Sequence, residues 1–398
     1  MTFIEQLLNG ENVEWKKLGE VAELKRGNTI TKKTSTEGKY PVISGGKQPA
    51  YYINSFNREG ETITIAGSGA YAGYVMFWNE PIFVSDAFSI KVNNEQILPR
   101  YIYHFLLNIQ DKIHALKSGG GVPHVYAKDV ARFLIPLPPL SVQHRIVEIL
   151  DKFTELEAEL EAELDCRKRQ YEYYRNQLLS FDMLNRGGQR LNDVKIMTLG
   201  EIGTFVRGSG LQKKDLTTQG IPAIHYGQIY TYYGTYAKKT KSFVTKEIAE
   251  KLKRVNYGDV IITNTSENIE DVCKAVVYLL KEQGVTGGHA SIFKPSEKII
   301  GKYLAYYTQT TDFAKEKRKF AKGTKVIDVN AKDLAKIKIP LPPLSVQREI
   351  VEILDKFDTL TNSISEGLPK EIELRRKQYE YYRNQLLSFS TVKEKYHG

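Results

Sequence analysis

IPLPPLSVQHRIVEILDKF occupies residues 135–153 and IPLPPLSVQREIVEILDKF occupies residues 339–357, identical at 17 of 19 positions with an offset of 204. Downstream, RKRQYEYYRNQLLSF (167–181) returns as RRKQYEYYRNQLLSF (375–389), identical at 13 of 15 positions with an offset of 208. A weaker echo lies upstream. Leu18-Gly19-Glu20-Val21 and Arg26-Gly27 recur as Leu199-Gly200-Glu201-Ile202 and Arg207-Gly208, and Pro41 and Pro222 keep that offset of 181. The chain is therefore written twice, in the order variable, near-identical, variable, near-identical. The boundaries fall at 1–135, 136–190, 191–339 and 340–398. Phe3 to Leu18 also resembles Phe181 to Leu199, the exit from the first near-identical segment, so the order closes on itself as a circular repeat. Two segments kept alike imply one shared task, and two that differ imply two separate ones.

The near-identical segments read as long helices. In IPLPPL each proline fixes φ and pushes its predecessor out of the α region, so the motif is extended. Ser141 and Ser345 then stand where an N-cap belongs. Beyond Ser141 the apolar side chains recur at Ile146, Leu150, Phe153, Leu160, Leu164, Tyr171, Tyr174, Leu178 and Phe181. With Glu157 and Arg167 in the gaps, the steps alternate four and three, which is a heptad seam. Residues 141–181 predict a helix of about 60 Å at about 1.5 Å per residue. Residues 345–389 predict a second, broken near Gly367 and Pro369. Antiparallel pairing of the two seams gives a coiled coil with a pseudo-twofold axis.

EAELEAEL (157–164) is a tetrapeptide repeat inside the first helix. Four residues turn a helix by about 400° and advance it about 6 Å, so each unit adds length while nearly keeping its face. Leu360, Ile364, Leu368 and Ile372 hold one such step more than Leu156, Leu160 and Leu164, which accounts for the change of offset from 204 to 208. Helices of this kind act as a ruler. A surface Glu/Ala/Leu helix without metric purpose has the same composition.

Residues 15–135 and 196–339 read as mixed α/β. Short β-branched and aromatic runs at 61–65, 74–78, 82–85 and 260–263 alternate with glycine-rich turns. A helical stretch follows near Tyr101–Leu107 in one and Tyr303–Gln309 in the other. The expected fold class is α+β, with two mixed α/β globular domains joined by the two long helices.

Charge separates the segments. Residues 191–339 hold 25 Lys and Arg against 15 Asp and Glu, a net +10, whereas 1–135 carry +2, 136–190 carry −2 and 340–398 are neutral. A basic globular segment suits a phosphate backbone, although lysines also serve plain solubility. The glycine-rich loops add the chemistry to match. Glycine lets backbone approach phosphate, while Arg, Lys, Asn, Gln and His reach phosphates and base edges. In the first variable segment these candidates are Arg26, Asn28, Lys47, Gln48, Ser68 and Tyr71, followed by Lys117 and His124. In the second they are Arg207, His225, Tyr226, Gln228 and Tyr230, followed by Asn264, Ser266, Lys322 and Lys325. Such turns also occur in any α/β domain, and His225 and His289 serve equally well as structural histidines.

Other classes fit poorly. At 41% hydrophobic, with 16 Phe and 25 Tyr, the chain of 398 residues can bury real cores. No apolar run approaches the roughly 20 residues that span a bilayer, and MTFIEQLLNGENVEW lacks the basic-then-apolar pattern of a signal peptide. Cys166 and Cys273 lie in different segments and suggest neither a disulfide framework nor a zinc site. A reduced, cytoplasmic protein is expected. No G-x-x-x-x-G-K-[ST] and no Asn-Pro-Pro-Tyr or Asp-Pro-Pro-Tyr motif is present. The Glu-x-Lys pairs at Glu14/Lys16, Glu23/Lys25 and Glu37/Lys39 all precede the first aspartate, Asp86, so an upstream acid for a magnesium nuclease is missing.

Taken together, these residues resemble the specificity subunits of type I restriction–modification systems. The doubled PLPPLSVQ-x-x-IVEILDKF, the tetrapeptide run, the doubled QYEYYRNQLLSF and IPAIHYGQIYTYYGTY (221–236) carry the resemblance over nearly the whole chain. It implies two target recognition domains, 1–135 and 191–339, each reading half of a bipartite double-stranded DNA site, with conserved helical spacers at 136–190 and 340–398. It implies a non-catalytic chain that docks two methyltransferase subunits and, through them, restriction/translocase subunits. The helical positions Ile146, Leu150, Phe153, Tyr171, Tyr174 and Leu178, with Ile350, Leu354, Phe357, Tyr379, Tyr382 and Leu386, are then the partner interface. S-adenosylmethionine, ATP and magnesium belong to the partners, and this chain binds no cofactor or metal. The Gly367/Pro369 interruption departs from the regular ruler. A coiled-coil adaptor would explain the helices but not two unlike globular segments. A nonspecific DNA-bridging protein would explain the charge but would bind any duplex alike at fixed salt.

Overall fold

The computed structural model describes residues 2–186, 194–363 and 365–389. The chain forms two compact units, one from Met1–Glu161 with Ile372–Gly398 and the other from Ala162–Glu371. Five helices bring the repeated segments and their domains together: α1 (Pro99–Asn108), α2 (Leu140–Leu178), α3 (Gly301–Tyr307), α4 (Leu344–Asn362) and α5 (Gly367–Leu387).

The proline motif builds the same clasp in each unit. Leu134–Leu137 pairs antiparallel with Glu14–Lys17, and Lys338–Leu341 pairs with Lys195–Thr198. These ladders have only two strands, which is where a proline lacking its N–H is tolerated. The prolines' own carbonyls accept from buried tyrosines. The buried Tyr101 hydroxyl donates to the Pro136 carbonyl at 2.7 Å, and the Tyr303 hydroxyl donates to Pro340 at 2.9 Å. The recurring Leu-Gly-Glu motif is a single helical turn in both units, with Gly19 packed on Ala131 and Gly200 on Ala335.

The helices begin one residue earlier than the serines suggested. α2 opens at Leu140 and α4 at Leu344, so Ser141 and Ser345 lie inside the first turn and are not caps. A glutamine two residues further on does the fastening. Buried Gln143 accepts from the Leu98 amide at 3.0 Å and donates to the Gln96 and Pro138 carbonyls. Gln347 makes the same three bonds, to Ile300, Lys298 and Pro342. Buried polar groups satisfied on every side tie each proline-led helix to its own domain.

In the first unit, Ala22–Arg26, Ala87–Val92, Thr62–Ala66 and Val75–Trp78 form an antiparallel sheet in that spatial order. Thr62–Ala66 is buried at every position, matching its β-branched composition. α1 covers the sheet with Tyr101, Ile102, Phe105 and Leu106, and Ile146 and Leu150 of α2 join the same core. Tyr379, Leu386 and Leu387 of the C-terminal helix also belong to it, so the end of the chain completes its first domain. In the second unit a five-stranded sheet runs Gly203–Arg207, Ala290–Pro295, Val260–Thr263, Ala275–Tyr278 and Tyr236–Ala237. A second sheet contains Ile221–Ile224 beside Gly284–Thr286. Its core takes Tyr171 and Leu179 from one conserved segment and Ile350, Val351 and Leu354 from the other.

Within each unit the two repeated segments touch. Phe153 stacks on Tyr382 at 5.2 Å, and Arg376 pairs with both Glu157 and Glu161. In the second unit Phe357 meets Tyr171 at 6.1 Å and Tyr174 at 5.7 Å. The expected break is present. α4 ends at Asn362 and α5 starts at Gly367, whose φ is +75°. Pro369 falls in the first turn of α5, where a missing N–H costs nothing. Of the seam positions read from the sequence, Ile364 lies outside the described residues. Phe181 belongs to a separate short helix, Phe181–Arg186.

Among the described residues no helix is long and apolar enough to cross a membrane, and no group of three or more His, Cys, Asp or Glu could hold a metal ion.

Candidate nucleic-acid interface

At one edge of the first unit's sheet the glycine-rich loops converge. The strand ending at Arg26 passes into Gly27-Asn28, and Gly27 lies so close to the 84–85 backbone that a Cβ would stand 2.3 Å from the Ser85 carbonyl oxygen. Gly45 approaches the Ser68 carbonyl in the same way, at 2.5 Å. The Ser68 hydroxyl donates to the Asp86 carboxylate. Backbone bonds from Gly69 to Pro123 and from Val125 to Gly67 join this loop to 118–124, where Ser118 and His124 pair with each other. Arg26, Asp86, His124 and Tyr126 line one crevice, with the His124 ring stacked on Tyr126. Lys47 projects over Tyr71 at 5.1 Å, and Lys117 donates to the Ala70 carbonyl at 3.2 Å. Arg26, Asn28, Lys47, Gln48, Tyr71 and Lys117 are exposed, and Ser68 and His124 are half-buried.

The second unit repeats the frame with different side chains. Arg207 ends its strand, and a Cβ at Gly208 would stand 2.0 Å from the Gly287 carbonyl oxygen. His289 joins the neighbouring loops, meeting the Thr265 hydroxyl at 3.1 Å and the Tyr226 ring at 4.8 Å. Thr265 and Ser266 pair antiparallel with Asp328 and Ile327. Lys322 and Asp328 close the hairpin that Ser118 and His124 close in the first unit.

Here several expected contacts take internal roles. His225 accepts from the Gly227 amide through Nδ1 at 3.2 Å, while Gln228 accepts from the His225 amide and donates to Ser242. This reciprocal cap holds the short helix Tyr226–Thr231. Burial first, then a neighbouring His289, holds the His225 imidazole below its ordinary pKa. The Tyr230 hydroxyl donates to the Thr265 carbonyl at 2.7 Å, and burial pushes it up to about 12. Asn264 is a correction. It is buried, donates to the Val329 carbonyl at 2.7 Å and accepts from Ser291, so its amide is committed inside the domain. Lys322 is a partial one, since its ammonium pairs with Asp333 at 3.1 Å. Hydrogen bonds from Lys336 and Lys322 hold that carboxyl down to about 2. Arg207 and Lys325 are exposed, with Ser266 half-buried between the hairpin strands.

Most of the helical positions expected to face partner chains are also corrected. Ile146, Leu150, Tyr379 and Leu386 lie in the first unit's core, and Tyr171, Ile350 and Leu354 lie in the second's. Phe153 and Tyr382 pack on each other and Leu178 lies against its own domain, whereas Tyr174 touches Phe357 and still stays 40% exposed. A heptad stripe hides itself against the nearest apolar surface, which here is this chain. Among the large apolar side chains that the same helices leave exposed, Tyr173 at 61% and Tyr381 at 60% stand out most, and they are the same residue of the repeated motif.

Asp86 and Asp328 escape a reading by residue type and loop composition, and the bridging role of His289 emerges only in the fold. The offset of 204 carries His124 onto Asp328, so comparing the two copies residue by residue is the signal that finds the latter.

The chain's sequence matches the profile of the Type I restriction modification DNA specificity domain over residues 10–165 and 192–374. It is 32% identical to the type I restriction enzyme EcoR124I/EcoR124II specificity subunit of Escherichia coli over 412 residues, covering 98% of this chain and 97% of that protein. It is equally 32% identical, over 424 residues, to a putative type I restriction enzyme specificity subunit of Haemophilus influenzae, covering 98% and 99%. In fold it resembles the type I restriction–modification S subunit from M. genitalium, with TM-score 0.59 and 20% identity over 96% of this chain and 98% of that one.

Proposed function

The chain belongs to the DNA specificity family of type I restriction–modification systems, and from that premise we propose that each of its two units reads one half of a split DNA target. It is the sequence-recognising, non-catalytic subunit of its enzyme, and it assembles with the complex that carries out the chemistry. The observation that carries the half-site reading is the repeated loop-and-hairpin frame. Main-chain bonds are the same in both units, while Ser68 and His124 of one stand where Thr265 and Asp328 stand in the other. A shared frame presenting different side chains suits two readers of two sequences.

In this reading residues 1–135 and 191–339 are the target recognition domains, and 136–190 and 340–398 are the helical spacers. The pairs Phe153–Tyr382 and Phe357–Tyr174 are one contact made twice, which supports a circular duplication with antiparallel seams. The EAEL units set the spacer between half-sites. Two methyltransferase subunits dock on the outer helix faces around Tyr173 and Tyr381, and restriction/translocase subunits join through them. S-adenosylmethionine, ATP and magnesium are held by those partners, and the assembly works in the cytoplasm with its DNA. A nonspecific bridging or adaptor protein would have no use for two unlike reading edges on one frame.

The test is segment exchange. Residues 196–339 are replaced by the corresponding segment of a relative, and methylated positions are mapped in DNA modified by the reconstituted complex. One half of the modified sequence should change. A change in both halves, or in neither, would reject the reading.

A further inference from the structure

Both reading edges carry a hairpin tip with an exposed valine. Ser118 and His124 exchange backbone bonds of 3.0 and 2.8 Å, and Lys322 and Asp328 do the same at 3.0 and 2.8 Å. Gly119 and Gly323 turn the chain at φ +113° and +102°, a region that suits glycine. A Cβ on either would stand 2.8 or 2.0 Å from the carbonyl oxygen of the tip valine. The turn leaves Val122 and Val326 at 55% and 58% exposure. Around them the copies diverge: Gly120-Gly121 against Thr324-Lys325, Pro123 against Ile327, and His124 against Asp328.

A single exposed valine is ordinary. The same valine, held outward at the same position of two otherwise unlike hairpins, is not explained by chance exposure. Each hairpin is bonded by its backbone to a neighbouring loop, at Gly69 in one unit and Asn264 in the other. Cations border the tips: Lys117 precedes the first hairpin, and Lys322 and Lys325 lie within the second. Such a surface suits a polyanion with an apolar group inside its groove. Valine has no hydrogen-bonding group, and the thymine C5-methyl is the apolar mark on a major-groove base edge.

We propose that Val122 and Val326 each pack on a thymine methyl in their own half-site, adding an apolar readout to the polar contacts of the loops. This rests on the reading of each unit as a half-site reader.

The experiment uses the complex reconstituted with its methyltransferase partner and a duplex carrying the mapped target. Each thymine of the half-sites is replaced singly by deoxyuridine, which lacks only the methyl. The wild-type complex should lose about fourfold in affinity at one position per half-site, the value of one buried methyl. V122A and V326A should bind the unmodified duplex roughly tenfold more weakly. Each variant should also become indifferent to deoxyuridine at its own position while keeping the wild-type response in the other half-site. Unchanged binding by both variants would overturn the proposal. So would weakened variants alongside a wild type blind to every deoxyuridine, which would place the valines on another part of the duplex. A wild-type complex that bound target and unrelated duplex alike would instead reject the half-site reading itself.

Discussion

His104 Nε2 lies 2.6 Å from the Asp151 carboxylate, and in the second unit the Tyr306 hydroxyl donates to Asp355 across the same 2.6 Å. Asp151 and Asp355 are one residue of the repeated motif, and each also pairs with a cation from the neighbouring helix, Arg100 or Lys302. One acidic position on a conserved helix therefore anchors both variable domains, and the partner it accepts differs.

That difference makes one anchor sensitive to pH. Burial holds the His104 imidazole below its ordinary pKa, against the opposing pull of Asp151. The folded state thus binds a proton less readily than the unfolded one, whose value is about 6.5. The stability that neutral His104 contributes is complete above pH 6.5 and declines as pH falls below it. His104→Tyr copies the second unit's arrangement. Denaturant midpoints at pH 7.5 and 5.5 should differ less for H104Y than for the parent chain, and an equal drop would assign the pH dependence to other groups.

Lys322 and Lys325 should behave differently in salt. The exposed Lys325 has no ion-pair partner among the described residues, so K325A should lower the slope of log K against log salt by about 1 if it contacts phosphate. Lys322 is shared with Asp333, and K322A should change the slope less. Titrations at several salt concentrations decide the order, and a larger effect at Lys322 would contradict it.

Gly367 joins the two halves of the second conserved segment. Its φ is +75°, and a Cβ there would stand 2.4 Å from the Thr359 carbonyl oxygen. Gly367→Ala should destabilise the chain by about 1–2 kcal/mol, from positive φ together with crowding. Thermal unfolding measures it, and an unchanged midpoint would mean the junction relaxes freely.

Tyr173 and Tyr381 test the docking face. Both are exposed, so Y173E and Y381E should leave the unfolding midpoint of this chain nearly unchanged. Each should reduce the methyltransferase recovered with it in pull-down, and the double variant more than either. Full stoichiometric recovery with the double variant would move the docking site elsewhere.

What the sequence determined by itself is what repeats and periodicity encode. The doubled motif marks the two proline-led helices, the glycine and proline in 367–369 mark their break, and the alternation of variable and near-identical segments marks the two unlike domains. These are properties of neighbouring residues and of chain order, so one dimension suffices to read them. The tertiary structure decided where polar side chains spend their hydrogen bonds. Asn264 is taken up by a carbonyl 65 residues away and Tyr230 by one 35 residues away, while the seam residues turn inward onto their own domains. Periodicity specifies that a stripe will be buried but not against what, and residue type specifies a donor but not its acceptor. Both are settled only when distant segments meet.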